Sequence, residues 1–549
     1  MAWSSRAVRW ALSLTVALAA CAAAAPIASA VPAGRVLVTV TAGAHPPAGA
    51  RHVAHIGGLD FVTLAVPRGL TARQYAASLP GRAGVVGAQA DTPIPRASVF
   101  GTCADTPASL SQTIAVTANA RSRPLPKTTG PIAVLDTGVD PSVPELAGHV
   151  LPGSDAVSGP VPATPDNDGH GTQVAAAAAG APGLVAGVSP TSPVMPIRIA
   201  TASLLATPSS IARGLEIAVT RKARVAVLPS SQLMSDTTSG AVTSLGLAID
   251  AAFSAGVIVV VPAGNEGQNE EVFPGSLAHV LTVGSGGPET VPDPFSNVGP
   301  WIDLLAPGAA LTLPAPPSIC LSGYAAASGT SFAAGAVAGA VALIGAARPS
   351  LTTSALYDVV RRLATSPAGT DGFDINTGFG VLNVGAGLGA SAPPDDPHEV
   401  DDNVYWLKKN PSAFPTYLTK ARKTNTRASV SPGKDPQDVF KVALHKGELL
   451  RATVTSTSAD GVLEATIWSR ATGAFDMQLP SPSSELRDSS GFTQNPAVSF
   501  RATRAGTYYV AVFAPDWNLP GEQGQVGKDL APLSVPRTRY SLTLQRSRR

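Results

Sequence analysis

Four residues stand where a chain could hold chemistry. Asp136 closes the apolar run Ala133-Val134-Leu135 and is followed by a Thr-Gly turn. In α/β sheets the carboxyl ends of strands are where sites form; the plainer alternative is a turn aspartate. His170 lies between Gly169 and Gly171 at the start of an Ala-rich helical run. Glycines there allow close backbone approach and leave an imidazole accessible. Asn265 follows the very apolar run Val257 to Val261, and its neutral amide either donates into a site or simply makes a turn. Ser331 opens an apolar helix. It either caps that helix or sits where backbone N–H groups and the helix dipole favour a developing oxyanion.

Other chemistries fit less well. Two-carboxylate proteolysis also uses Asp-Thr-Gly, but it needs a second such carboxylate sharing a proton. No second Asp-Thr-Gly or Asp-Ser-Gly occurs. Asp166, Asp168 and His170 suggest a metal, yet the terminal Glu of a calcium loop is missing. No metal ligand is therefore assigned. Ser331 is not in a Gly-x-Ser-x-Gly elbow, because Ala333 occupies the final glycine position.

Together the four residues are more specific than any one. The chain order Asp136, His170, Asn265, Ser331 is the Asp…His…Ser order of subtilisin-type proteases. The sequence resembles the subtilisin-like serine protease (subtilase) family over about residues 129 to 390. The segment Phe295-Ser-Asn-Val-Gly-Pro-Trp-Ile-Asp-Leu-Leu-Ala-Pro-Gly308 is similar to the family's stretch before the nucleophile, and Gly378-Phe-Gly-Val-Leu-Asn383 to its closing element. The resemblance implies Ser331 as nucleophile, His170 as general base and then acid, and Asp136 as the group that holds the histidine tautomer. It implies Asn265 as an oxyanion-hole donor beside the Ser331 N–H, and Ser230, Ser231, Ala263 and Gly264 as substrate-binding residues. It also allows structural calcium, with no ligands assignable.

The sequence departs from the family in several places. Gly335 stands where the family usually has Pro, Phe332 where it often has Met, and Gln173 where it commonly has His. The strand that aligns substrate reads Val227-Leu-Pro-Ser230-Ser231. Pro229 removes an N–H from that edge, and Ser231 in place of Gly is expected to narrow peptide access.

The elements that must position these residues alternate. Apolar strand runs at Ile132–Leu135, Val225–Leu228 and Val257–Val261 are separated by helical runs, the pattern of a parallel sheet covered on both faces. The expected fold class is α/β: a subtilisin-like parallel sheet with helices on both faces, after a small α+β propeptide-like domain and before a β-sandwich. The expected boundaries are a signal peptide over 1–30, the propeptide-like domain over 31–98 and a connector over 99–128. The peptidase domain follows over 129–391, then an acidic linker over 392–403 and the sandwich over 404–549. The small domain reads β–β–α–β, with strands near Val36–Val40, Phe61–Val66 and Val85–Ala88. The sandwich resembles the pre-peptidase C-terminal domain of secreted bacterial proteases, through segments such as Asp438–Val442, Gly447–Val454 and Tyr540–Leu544.

Composition agrees with this division. Charged residues make up 14% of the chain, against about 25% in ordinary soluble domains, as a large buried sheet would require. Eight of the ten lysines lie beyond residue 400, which marks a change of architecture there. A net charge of +2 gives no electrostatic footprint for nucleic acid. Arg6 and Arg9, the uncharged stretch Trp10 to Ala25 and the cleavage pattern Ala28-Ser29-Ala30 read as an export signal. Leu18-Ala-Ala-Cys21 also resembles a lipobox, whose cleavage would leave a lipid anchor at Cys21. In either case Cys103 and Cys320 remain, and in an exported chain they most simply form a disulfide. The uncharged run Ser331 to Ala347 reads as a buried core helix, with no transmembrane helix expected in the mature chain.

The expected protein is a secreted or extracellular serine endopeptidase made as a zymogen, with protein or peptide substrates and its own propeptide as partners. Two alternatives are a weak or inactive protease fold that binds a polymer or cell surface, and a dedicated processing protease resembling the mycosins.

Overall fold

Period-two alternation builds the N-terminal unit. β1 (Arg35–Thr41), β2 (Arg51–Ile56), β3 (Leu59–Ala65) and β4 (Val85–Ala90) form an antiparallel sheet in the order β2-β3-β1-β4. Val36, Val38 and Val40 point to one face and pack with Val62, Leu64 and Ala76 of helix α1 (Ala72–Ala77). Thr71 caps α1 and exchanges hydrogen bonds with Gln74. Leu37, Ile56, Leu59 and Phe61 face the other way, into the core of the central unit. The sequence reading missed β2. Its residues, Arg-His-Val-Ala-His-Ile, are half polar and half exposed, so their periodicity is weak. The strand is fixed instead by pairing with β3 across Gly57 and Gly58, both at positive φ.

The coordinates are a computed structural model. It describes residues 34–95, 102–104, 130–158, 165–181, 186–200, 205–233, 243–366, 374–391, 416–430, 437–456, 463–469, 486–513 and 538–547, less positions 81, 83, 271, 289, 300, 375, 492 and 494. The expected signal peptide with Cys21, most of the connector and the acidic linker lie outside the described residues. Two-residue strands β5 (Ile94–Pro95) and β6 (Thr102–Cys103) follow the N-terminal unit.

The central unit is an α/β fold, as expected. β7 (Ile132–Asp136), β8 (Ser154–Asp155), β9 (Val194–Arg198), β11 (Val225–Val227), β13 (Ile258–Pro262), β15 (Val280–Ser285) and β16 (Leu304–Ala306) form a parallel seven-stranded sheet ordered β16-β15-β13-β11-β7-β9-β8. Outside it lie β10 (Leu205–Ala206), β12 (Gln232–Leu233), β14 (Val272–Phe273), β17 (Leu311–Pro314) and β18 (Tyr324–Ala327). Helix α2 (His170–Ala179) packs on α5 (Thr330–Ala347), and α3 (Pro208–Thr220) on α4 (Ser244–Ser254), each pair covering the sheet. Among the described residues α5 is the one helix long and apolar enough to cross a membrane, and 89% of it is buried inside the fold. Helices α6 (Thr353–Arg362) and α7 (Val384–Gly389) close this unit.

Small residues let α2 and α5 meet closely. A Cβ on Gly339 would lie 2.4 Å from the Ala178 carbonyl oxygen, and one on Gly335 would lie 2.8 Å from that of Val174. Read from sequence alone, Gly335 carries only its intrinsic helix penalty; in the fold it is required by this approach. Gly339→Ala is expected to destabilise the chain by about 1–3 kcal/mol through overpacking, measured as a lower calorimetric unfolding temperature than wild type.

The N-terminal unit docks on α3 and α4. Asp91 accepts from the Ser209 N–H and hydroxyl at the start of α3 (both 2.9 Å) and pairs with Arg35 at 3.0 Å. The His55 N–H donates to Glu216, and the Ser244 hydroxyl to the Leu37 carbonyl. β5 then pairs antiparallel with β10, and β6 with β18. Cys103 and Cys320 stand at disulfide geometry with Cα atoms 5.4 Å apart.

Two further sheets share a core near the C-terminus. They contain β19 (Thr416–Tyr417), β20 (Lys423–Val430), β21 (Gln437–Leu444), β22 (Leu449–Ser456), β23 (Glu464–Trp468), β24 (Leu486–Ser489), β25 (Ala497–Arg501), β26 (Gly506–Phe513) and β27 (Thr538–Ser547). Their orders are β19-β21-β26-β23-β24 and β20-β27-β22-β25. Phe440, Val442 and Val510 from one meet Leu450, Val454 and Leu542 from the other. The Tyr540 hydroxyl donates to buried Asp438 across the two sheets.

Candidate active site

The site begins with a turn pressed against a helix. β7 is buried throughout, so Asp136 arrives at the strand's carboxyl end on a rigid support. Gly169 precedes α2 at φ 94°, in the left-handed region. A Cβ on Gly171 would fall 2.0 Å from the Gly138 carbonyl oxygen. That approach, open only to glycine, brings His170 to Asp136. Nδ1 of His170 lies 2.8 Å and 3.1 Å from the two carboxylate oxygens, and both side chains are buried. The Thr137 N–H donates to Asp136 Oδ1 at 2.6 Å.

The amide and hydroxyl are joined through Thr330. Asn265 Oδ1 accepts from the Thr330 N–H at 2.9 Å and its hydroxyl at 3.0 Å. Those two donors fix the oxygen end of the amide and leave Nδ2 as the donating end. Ser331 is the next residue, in the first turn of α5, fully buried and with no hydrogen-bond partner on Oγ. The His170 ring lies 5.8 Å from that of Phe332, one residue further along α5. All four sequence-derived residues thus converge on the starts of α2 and α5. Catalytic contacts are often loose before substrate binds, so a free Ser331 Oγ fits such a site.

The expected substrate-binding residues are placed less uniformly. Ser231 donates its N–H to the Pro95 carbonyl at 3.1 Å, so this edge already holds an extended segment of the same chain. The Ser230 N–H turns back to the Leu228 carbonyl at 2.8 Å, a tight bend centred on Pro229. The Ala263 N–H is taken by Val283 within the sheet, and its side chain packs with Trp301 and Ile302. Gly264 donates to Thr330 Oγ1 and accepts from the Asn297 N–H. These two residues therefore support the Asn265 turn through their backbone hydrogen bonds.

Several partners escaped the sequence reading. Thr137, Thr172 and Thr330 lie within two residues of Asp136, His170 and Ser331 in the sequence, but nothing in a sequence says where a hydroxyl points. Asn297 sits in the quoted stretch before the nucleophile. Its Oδ1 accepts from the Glu266 and Gln268 N–H groups, and its Nδ2 donates to Glu266 at 2.6 Å, clamping the loop that carries Asn265. Asp166 was weighed only as a metal ligand. It accepts from Thr137, Gly169 and Thr172 instead. Burial pushes its carboxyl pKa up, the donors from Thr172 and Gly169 oppose this, and the nearby Asp136 charge adds to it. Among the described residues no three His, Cys, Asp or Glu side chains group as a metal site.

Known proteins carry the same region. A family model described as the subtilase family matches residues 129–380. Subtilisin Savinase of Lederbergia lenta is 34% identical over 257 residues, covering 46% of this chain and 89% of that protein. The chain belongs to the subtilase family. This places it among serine proteases. The alkaline protease of Shouchella clausii is 34% identical over 257 residues, which is 63% of its length. Among solved structures, MycP1 from Mycobacterium smegmatis matches with TM-score 0.46 and 27% identity, over 56% of this chain and 92% of its own. The subtilase match ends at residue 380, short of the two C-terminal sheets.

Proposed function

We propose that this subtilase is a serine endopeptidase that cuts peptide bonds through an acyl-enzyme on Ser331, made as an exported zymogen. The observation that carries the reading is the buried His170–Asp136 pair, with Nδ1 2.8 Å from the carboxylate, set against the helix that opens with Thr330 and Ser331.

Asp136 accepts a hydrogen bond from the Nδ1–H of His170, which keeps that proton on Nδ1 and leaves Nε2 as the basic nitrogen. Nε2 removes the Ser331 hydroxyl proton as Oγ attacks the scissile carbonyl. Charge then develops on the carbonyl oxygen, where Asn265 Nδ2 and the Ser331 N–H donate to it. His170 returns the proton to the leaving amine, and water reverses the sequence to free the acid. Thr330 holds the Asn265 amide in place before reaction, so little reorganisation is needed. Asn265→Ala is expected to lower kcat about 10²–10³-fold while KM changes little, read from steady-state hydrolysis of a peptide substrate.

Substrate would lie extended between β10 and Ser231, where β5 lies in the full chain. That occupancy, the docking of the N-terminal sheet on α3 and α4, and the full burial of His170 and Ser331 support an inhibitory propeptide. The export signal read from the sequence supports secretion, with lipid anchoring at Cys21 as its variant. The C-terminal sheets are read as an appended sandwich of the pre-peptidase type. N-terminal sequencing of exported wild type beside Ser331→Ala tests the reading. A new N-terminus between residues 96 and 128 in wild type alone is expected; the same N-terminus in both would count against self-processing.

A further inference from the structure

Asp166 receives more hydrogen bonds than any catalytic side chain around it, and the mechanism above does not use it. Oδ1 accepts from the Thr137 hydroxyl (2.8 Å), the Gly169 N–H (2.9 Å) and the Asp168 N–H (3.2 Å). Oδ2 accepts from the Thr172 N–H (2.8 Å) and hydroxyl (2.7 Å). The side chain is 1% exposed and all five donors are uncharged. Burying a carboxylate on neutral donors is costly, so the arrangement asks for a reason.

The two hydroxyls supply one. Each has a single proton, and each gives it to Asp166. Their lone pairs must then face elsewhere. Thr137 Oγ1 accepts from the Gly171 N–H at 3.2 Å, and Thr172 Oγ1 from the Asp140 N–H at 2.9 Å. One bond runs from the α2 start to the Asp136 turn, the other from the turn to the α2 start. Both link the segment carrying Asp136 to the one carrying His170, and both take their direction from the same carboxylate. Only an acceptor-only group satisfies all five donors; an amide would place its NH₂ against a donor on one side.

We infer that Asp166 is the positioning residue that sets the Asp136–His170 geometry. This rests on the functional reading above, since it acts through that pair and does not touch the reacting atoms. Loss of the carboxylate lets the two segments separate, so activation of Ser331 falls while substrate access is unchanged.

The test uses each protein after cleavage between residues 96 and 128, by itself or by tagged wild type that is then removed, and a fluorophosphonate probe, separating the maximal labelling rate from the probe concentration at half-maximal rate. Wild type should label and Ser331→Ala should not. If processed wild type does not label, the functional reading fails, independently of Asp166. Given labelling, Asp166→Asn and Asp166→Ala should lower the maximal rate at least 30-fold with the half-maximal concentration within threefold. Folded variants with a maximal rate within twofold of wild type would overturn the inference. Should Asp166→Ala not fold, Thr137→Val and Thr137→Ser decide: Val should slow labelling about fivefold or more and Ser should restore it, whereas equal rates overturn the inference.

Discussion

Ser331→Ala is expected to abolish peptide hydrolysis, with kcat falling about 10⁶-fold, the size of loss recorded when the serine of a subtilisin is removed. The expectation follows from where the hydroxyl sits. Ser331 is in the first turn of α5, so its own N–H is one of the unsatisfied donors of a helix start. Its neighbour Thr330 is tied to Asn265 by two bonds. Removing Oγ leaves those oxyanion donors in place but takes away the atom that bonds to the carbonyl carbon. A small residual rate over water should survive, because positioning and the oxyanion hole remain. The fold should not suffer, since Oγ makes no hydrogen bond. Steady-state hydrolysis beside a thermal unfolding curve separates the two effects.

Asp136→Asn is expected to lower kcat about 10⁴-fold with little change in KM. Here the neighbours decide which way the new amide points. The Thr137 N–H lies 2.6 Å from Asp136 Oδ1 and must keep an acceptor. The asparagine oxygen therefore takes that position, and its NH₂ faces His170 Nδ1, 2.8 Å from the other oxygen in wild type. A donor there forces the imidazole proton onto Nε2, the atom that has to accept the Ser331 proton. Volume and polarity are preserved, so the variant should fold and still bind peptide. A parallel loss in KM would mean that the carboxylate instead shapes the substrate cleft.

The candidate residues Asp136, His170, Asn265 and Ser331 stand out in the sequence because glycines and apolar strands bracket them. Gly171 after His170 has no plain alternative once a Cβ is seen to collide with the Gly138 carbonyl, and Gly169 before it holds a positive φ. The parallel sheet was equally readable, since strands buried on both faces are apolar runs. The polar edge strand β2 was not, because its place depends on pairing rather than on its own pattern. The bend at Pro229 was anticipated only as a missing N–H; the backbone bond from Ser230 to Leu228 is a tertiary outcome. The supporting shell was hidden for the same reason. Asp166, Asn297 and the three threonines act through the direction of single bonds, and direction appears only when distant segments meet. Gly335 and Gly339 likewise look like helix weaknesses until α2 is laid against α5.

The central claim is that Ser331 is the activated nucleophile of this chain. The most direct measurement is mass-spectrometric mapping of a fluorophosphonate adduct on the processed protein. One adduct on the peptide containing Ser331, lost in His170→Ala, is the predicted result. An unlabelled protein that is folded and processed, or an adduct on another serine, would contradict it.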